Sequence, residues 1–193
     1  MEKILRIDMG AAGGPRATVT DRGEYAGMGG RGMTSMVIAT EVPPECHPLG
    51  PENKLVIAPG LLAGSAASTS GRISVGCKSP LTGGIKEANA GGQAGQVLAR
   101  LGYAAVIIEG RPENSDIYKI LINREGVTIT AANDLKMLTN YDLAEKIKKQ
   151  HGEKTAMMSI GPAGEMRMCA ATIAVTDPEF RPTRHAGRGG AGA

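Results

Sequence analysis

Glycine-rich segments that alternate with single basic or amide residues dominate one stretch of the chain, STSGRISVGCKSPLTGGIKEANAGGQAG, residues 68–95. The interrupting residues are Arg72, Lys78, Lys86 and Asn89. Glycine permits a positive φ and lets backbone N–H groups approach a ligand closely. Successive free N–H groups form concavities that attract anions, and an arginine adds a planar set of donors that suits phosphate. The stretch therefore predicts a cradle for a phosphorylated small molecule.

Two further glycine–arginine loops occur far away in the chain, at residues 27–32 and 184–193. Each loop alone is compatible with an ordinary turn that carries a solvent-exposed arginine. Three such loops in one chain favour a second interpretation, in which they converge on one ligand. A P-loop is excluded, because G-x-x-x-x-G-K-[ST] does not occur, and a dinucleotide fold is disfavoured, because no G-x-G-x-x-G is predicted to follow a strand and open a helix.

Apolar runs and turn residues predict a mixture of strands and a few helices. Strands are expected at 1–9, 54–59, 72–77, 104–109, 155–160 and 169–175, with a hairpin formed by 117–123 and 127–130. Helices are expected at 33–42, 93–101 and from the cap Thr139 to Gln150, and residues 10–34 and 184–193 are expected to be loops. The N-terminus of the 93–101 helix would add partial positive charge near the cradle. Without regular βαβ alternation this pattern indicates an α+β fold.

Length and charge limit the classes of protein to consider. A chain of 193 residues forms one domain, here residues 1–193, and its core depends on aliphatic residues and ten methionines because it has no Trp and one Phe. A net charge of +3, without basic runs interleaved with aromatics, argues against nucleic-acid binding. No signal peptide and no apolar run near 18 residues is found, so we expect a cytoplasmic protein without a membrane span.

The cysteines and most histidines give weak evidence for a metal site. Cys46, Cys77 and Cys169 are far apart, without C-x-x-C spacing, and are expected to be buried or free thiols in a reducing compartment. His47 has no third ligand nearby, and His151 suits a helix C-terminus. None of these residues is predicted to bind a metal.

Two other titratable residues are candidates for a functional role. His185 lies inside the last glycine–arginine loop, a setting that suggests ligand contact, and Glu165 follows the turn Gly161–Gly164 as either an acid–base group or a turn residue. Nothing resembles a nucleophile, a base and an orienting group in one constellation. Chemistry at this site would therefore depend on a cofactor.

An ordered set of seven motifs resembles the N-terminal domain of the tungsten-containing aldehyde ferredoxin oxidoreductase family. In chain order the motifs are ENKLVIAPG (52–60), SGR (70–72), KSPLTG (78–83), EANAGG (87–92), GYAAVIIEG (102–110), SIGPAGE (159–165) and RHAGRGGAGA (184–193). The resemblance implies two β-sheets with a few helices, which form a base for a bis-pterin tungsten (or molybdenum) cofactor.

The resemblance also implies which residues hold that cofactor. By motif position, the contacts to the pterins and their phosphates would come from Arg72, Asn89, Gly91, Arg184, His185 and Gly187. A Mg²⁺ ion that bridges the two phosphates would be held by the main-chain carbonyls of Asn89 and His185. The family commonly has alanine in place of His185, a difference that a carbonyl ligand tolerates.

The family pattern continues beyond Ala193 into two further domains, which carry the cysteines of a 4Fe-4S cluster, the residues that face the metal and the substrate cavity. We therefore expect a cofactor-binding subunit of a split enzyme, or an excised domain, that is inactive alone and completed by a larger partner subunit. The expected reaction oxidises an aldehyde to a carboxylic acid, and a ferredoxin or other electron-transfer protein receives the electrons. The alternatives are a stand-alone binding module for a phosphorylated, pterin-like ligand and a scaffold with an empty cradle.

Overall fold

A computed structural model describes residues 3–193, and its largest element is a six-stranded mixed sheet. The strand order is β2-β1-β6-β3-β4-β5, with β1 parallel to β6 and every other neighbouring pair antiparallel. Its strands are β1 (Lys3–Asp8), β2 (Arg16–Asp21), β3 (Leu55–Pro59), β4 (Ile73–Lys78), β5 (Ile85–Ala90) and β6 (Tyr103–Glu109). The β-branched runs of β3, β4 and β6 occupy the centre, where both faces of the sheet are covered.

Helix α1 (Gly30–Glu41) covers one face of this sheet through Met33, Val37 and Ile38, which are fully or almost fully buried. The close approach of α1 depends on Gly76 in β4. A Cβ at this position would lie 2.6 Å from the Cβ of Thr34, so a larger residue would push the helix away.

Helix α2 (Ala94–Arg100) and a smaller sheet cover the opposite face. The order of the smaller sheet is β11-β10-β9, and its strands are β9 (Met158–Ser159), β10 (Ile173–Val175) and β11 (Arg184–Ala186). All three residues of β10 are buried, and Ile173 and Val175 pack against the large sheet. Strand β11 lies at the edge of the small sheet and contacts β5, the edge strand of the large one. A hollow lies beside this contact.

The remaining elements are the hairpin β7 (Tyr118–Ile122) and β8 (Val127–Ala131), and helices α3 (Asn140–His151) and α4 (Pro162–Glu165). The Thr139 side chain accepts a hydrogen bond from the N–H of Asp142, which confirms the predicted cap of α3. Ala144 and Ile147 bury the predicted apolar face, and Gly152, with a φ of 80°, ends the helix.

The α+β class is confirmed, and several predicted boundaries were wrong. The predicted strand 1–9 is β1 from Lys3, and Met1 and Glu2 lie outside the described residues. Strands β2, β5 and β11 were expected to be loops. Strands β2 and β5 are edge strands with short or polar side chains, so apolar alternation does not mark them. In the smaller sheet, only short parts of the predicted strands 155–160 and 169–175 are paired.

A network of ionised side chains joins β1, α1, the start of β3 and the end of β6. Glu41 binds Arg6 at 2.6 Å and Lys54 at 2.7 Å, and Lys54 also binds Glu109 at 2.5 Å. Burial alone would raise the pKa of Glu41, but hydrogen bonds from Arg6, Lys54 and Tyr25 outweigh it and lower the pKa from 4.5 to about 2.

No helix in residues 3–193 is both long enough and apolar enough to cross a bilayer.

Candidate functional site

Two adjoining hollows open at the contact between β5 and β11. The main hollow has a volume of about 530 Å³ and the side hollow about 370 Å³. They share Arg72, Asn89 and His185, and we call them together the arginine hollow. The main hollow is also lined by Ala90, Gly91, Gly92, Thr183 and Arg184, and the side hollow by Arg31, Glu87, Ala88, Gly187 and Arg188. All six residues singled out as pterin contacts thus lie around one space.

Arg72, directly before β4, is oriented by Asn89 on the neighbouring strand. Its Nε donates to Asn89 Oδ1, and an Nη donates to the Asn89 main-chain oxygen at 3.4 Å. The amide of Asn89 in turn donates to the hydroxyl of buried Ser74 at 3.2 Å. A guanidinium group has five N–H donors, so Arg72 keeps several donors for a ligand while its position is held.

The three glycine–arginine loops meet here, as the sequence suggested. Arg31 comes from the first loop, Arg72 from the second, and Arg184 and Arg188 from the third. Arg31 is in the first turn of α1, whose initial N–H groups have no partner within the helix and carry partial positive charge. Four arginines against one carboxylate make the arginine hollow suited to a polyanion.

His185 is paired with Ala174 across β10 and β11, and its ring Nδ1 lies 3.0 Å from the Thr172 hydroxyl. The imidazole is therefore oriented by a neighbour on its own sheet. The proposed magnesium contacts depend on the main-chain oxygens of Asn89 and His185 and remain a prediction. In residues 3–193, no group of three His, Cys, Asp or Glu side chains is arranged to hold a metal ion.

The glycines of the arginine hollow have different roles. A Cβ on Gly91 would meet only Arg72 Nη1, at 3.8 Å, so its absence widens the hollow. A Cβ on Gly187 would likewise meet nothing nearer than 3.8 Å. Gly92 has a φ of 102°, and a Cβ there would lie 2.5 Å from the main-chain oxygen of Thr176. Gly92 is thus required for the fold, whereas Gly91 and Gly187 leave space for a ligand.

A tight turn built on Asp177 precedes Arg184. The Asp177 side chain, 2% exposed, accepts hydrogen bonds from the N–H groups of Glu179 and Arg181 and from the Thr183 hydroxyl, at 2.9–3.0 Å. The turn holds the start of β11, and with it Arg184, beside β5.

Other basic residues of the 68–95 stretch lie outside the arginine hollow. The ammonium of Lys78 is directed at main-chain carbonyls of Pro44 and Cys46. Lys86 packs its aliphatic stem against Gly189. Their inclusion in the phosphate cradle was wrong. Lys86 lies on the face of β5 opposite to Asn89, and Lys78 lies at the far end of β4, where its ammonium is bound to those carbonyls.

The remaining candidates have local structural contacts. The ring of His47 accepts from the N–H of Leu49 at 3.1 Å, and His151 lies 3.4 Å from the Lys119 ammonium. The Glu165 carboxylate accepts from the N–H of Met137 at 2.9 and 3.0 Å, which agrees with a turn role.

The cysteines are free thiols, with Cys46 and Cys77 buried and Cys169 exposed. Burial raises the pKa of the Cys77 thiol to about 11, so it stays protonated at neutral pH.

Sequence reasoning singled out neither Arg188 nor Glu87 as a site residue, and it named Arg31 only as part of a loop. Arg31 and Arg188 lie in Gly-Arg-Gly triplets, so the repeated triplet is the signal that would identify them. Glu87 is two residues before Asn89, and alternate residues of a strand share a face. That relation becomes visible only once β5 is known to be a strand.

Comparison with known proteins gives one consistent family. Residues 4–193 match the family described as aldehyde ferredoxin oxidoreductase, N-terminal domain. The chain is 42% identical over 167 residues to a tungsten-containing aldehyde ferredoxin oxidoreductase of Pyrococcus furiosus, covering 86% of this chain and 26% of that protein. For the Pyrococcus horikoshii protein of the same name, identity is 36% over 192 residues, covering 99% and 30%.

A solved structure also resembles the chain closely. It is described as the active site complex BamBC of benzoyl coenzyme A reductase in complex with 1,5 dienoyl-CoA. The TM-score is 0.85 at 32% identity, over 99% of this chain and 28% of that one. The chain thus spans between a quarter and a third of the length of these relatives.

Proposed function

This chain belongs to the aldehyde ferredoxin oxidoreductase family and corresponds to its N-terminal domain, and from that membership we propose that residues 1–193 form a single domain that seats a bis-pterin tungsten or molybdenum cofactor. The observation that carries the proposal is the convergence of Arg72, Asn89 and Arg184 on one hollow. A polyanion such as a pair of pterin phosphates needs several fixed donors in one place, and the arginine hollow supplies them.

The residues present fit such a group in shape and charge. Gly91 leaves open the space that a side chain would fill, and four arginines supply charge for two phosphates. Glu87 Oε1 is buried and has no hydrogen-bond partner, which leaves one acceptor for a ligand. Arg72, Asn89, Gly91, Arg184, His185 and Gly187 would hold the cofactor, with Mg²⁺ between its phosphates on the carbonyls of Asn89 and His185. When bound, the metal–pterin group supplies the two-electron redox chemistry.

The role of this chain is then to bind and orient the cofactor. Its arginines fix the phosphate ends, and the Asp177 turn and the Arg72–Asn89–Ser74 chain of hydrogen bonds keep those donors in place. We propose that the rest of the relatives' length, on a continuing chain or on a larger partner subunit, supplies the 4Fe-4S cluster and the substrate pocket. The reaction proposed for the whole assembly is oxidation of an aldehyde to a carboxylic acid, with electrons passed to ferredoxin. The free thiols are in keeping with a reducing cytoplasm.

The direct test is the content of the natively purified protein together with any copurifying partner. We expect tungsten or molybdenum and, after oxidation, pterin fluorescence in proportion to the chain. Arg72→Ala should lower both contents and weaken pyrophosphate binding by about tenfold or more, because a hydrogen bond to a charged group contributes about 1.5–3 kcal/mol. Arg124→Ala, in the exposed β7–β8 loop, is the matched control and should change neither. A wild-type assembly with no pterin and neither metal would refute the proposal.

A second candidate is a binding module for another phosphorylated ligand, without catalysis. The observation in its favour is that this chain supplies four arginines around one hollow, Arg31, Arg72, Arg184 and Arg188. A chain that binds pyrophosphate through Arg72 but carries no pterin in its native cells would favour this alternative.

A further inference from the structure

Glu87 is the only acidic side chain that lines the arginine hollow in the described part of the protein. It lies on β5 opposite Gly76 and two residues before Asn89. Its Oε1 is shielded from water and accepts no hydrogen bond. A buried acceptor without a donor destabilises the protein, so this oxygen requires an explanation.

The neighbouring arginines do not donate a hydrogen bond to this oxygen. Arg31, Arg72 and Arg188 line the same side hollow, yet none of them donates to Oε1. Arg72 instead donates hydrogen bonds from its Nε and one Nη to Asn89. The buried acceptor of the side hollow and the remaining donors of its arginines therefore do not bind each other.

A carboxylate also restricts what can approach it. Phosphate oxygens are repelled from Glu87, so the phosphates of a ligand must lie against the arginines. The part of the ligand that lies beside Glu87 must therefore carry a hydrogen-bond donor. The last torsion of a glutamate side chain is broad, so the carboxylate of Glu87 can rotate to turn either oxygen towards a ligand in the side hollow.

We propose that Glu87 is a ligand-contacting residue that accepts a hydrogen bond from the bound cofactor and thereby sets its orientation. The inference rests on the proposed function and adds a recognition group of opposite charge to the phosphate-binding arginines. The donor is an N–H or O–H of the organic part or a water held by a divalent cation on the phosphates.

The test compares Glu87→Gln with Glu113→Gln, a control of the same chemistry at an exposed position. Two quantities are measured on the natively purified protein: pterin fluorescence per chain after oxidation, and the dissociation constant of inorganic pyrophosphate with and without Mg²⁺. Glu87→Gln keeps one acceptor oxygen but removes the charge, and should lower pterin content by about threefold or more, because a hydrogen bond to a charged acceptor is about twice as strong as one to a neutral acceptor. Pyrophosphate has no organic donor and is repelled by the carboxylate, so in the absence of Mg²⁺ it should bind equally well or more tightly.

The Mg²⁺ arm identifies the donor. Weaker binding of Mg²⁺–pyrophosphate by Glu87→Gln would assign it to a metal-bound water, and unchanged binding would assign it to the organic part. Retained pterin in Glu87→Gln would overturn the inference, as would a loss of metal-free pyrophosphate binding as steep as the loss of pterin. If Glu87→Gln does not fold, Glu87→Asp keeps the charge but shortens the reach, and full pterin content in that variant would overturn the inference too.

The two failures are separable. A wild-type protein without pterin defeats the proposed function itself, whereas equal pterin in the wild type and in Glu87→Gln defeats only the role of Glu87.

Discussion

Replacing Gly92 by alanine will destabilise the fold, whereas the same change at the adjacent Gly91 will leave the fold intact. At Gly92 the added methyl would lie 2.5 Å from the Thr176 oxygen, on a backbone with a φ of 102°. Such a backbone costs a non-glycine residue about 1–3 kcal/mol, and the overlap adds about 1–3 kcal/mol. At Gly91 the nearest atom would be 3.8 Å away, and removing glycine from a compatible site stabilises by about 0.4–1 kcal/mol.

These energies translate into melting temperatures. For a chain of this size, 1 kcal/mol corresponds to about 2–4 °C, so a loss of about 3 kcal/mol in Gly92→Ala should lower the midpoint by about 6–12 °C. Gly91→Ala should melt at or slightly above the wild-type temperature. Its methyl narrows the arginine hollow beside Arg72, so its dissociation constant for pyrophosphate should rise severalfold.

Thermal unfolding followed by circular dichroism, with pyrophosphate titration of each variant, gives both quantities. The reasoning is refuted if the two variants melt within about 2 °C of each other, because the close approach of Gly92 to the Thr176 oxygen would then not restrict the residue at this position. It is also refuted if Gly91→Ala binds pyrophosphate as the wild type does.

Two further substitutions test the supports of the fold and of the site. The pKa of Glu41 is lowered from 4.5 to about 2, so its contribution to stability is complete above about pH 4.5 and is lost as the pH falls to about 2. Glu41→Gln should lower the free energy of unfolding by about 1–2 kcal/mol at pH 7, since the groups are partly exposed, and should flatten the acid-unfolding profile between pH 4.5 and 2. An acid-unfolding profile equal to that of the wild type would contradict the ion-pair assignment. Asp177→Asn should loosen the turn before Arg184 and weaken pyrophosphate binding by about threefold to tenfold, as expected for one lost or weakened hydrogen bond. If the variant binds pyrophosphate as tightly as the wild type does, the turn does not position Arg184.

Sequence reasoning succeeded where a local rule applied. The apolar β-branched run of β6 predicted a buried strand, and the cap Thr139 predicted the start of α3. Arg72 and Asn89 were identified as partners in one site because their loops carry the same glycine chemistry and the same family motifs.

It failed where long-range pairing determines the structure. Strand β5, IKEANA, has only one β-branched residue, and its pairing with β4 is decided by tertiary contacts that no local pattern reports. Because β5 was treated as a loop, Lys86 was assigned to the same ligand as Asn89, and the shared face of Glu87 and Asn89 was missed. The direction of each side chain in this stretch depends on the alternation of a β-strand, so it could not be assigned without knowing that residues 85–90 form one.

The arginine hollow lies across a seam between two independently hydrogen-bonded sheets, with Asn89 on one side and Arg184 on the other. A ligand that contacts both sheets binds only while they are packed together, so the free energy of its binding also opposes their separation. Without the ligand, mutual repulsion of the clustered guanidinium groups works against that closure. If the proposed cofactor binds here, its binding therefore adds stability to the packing of the small sheet on the large one, and the amides of β11 should report it by slowing their hydrogen exchange.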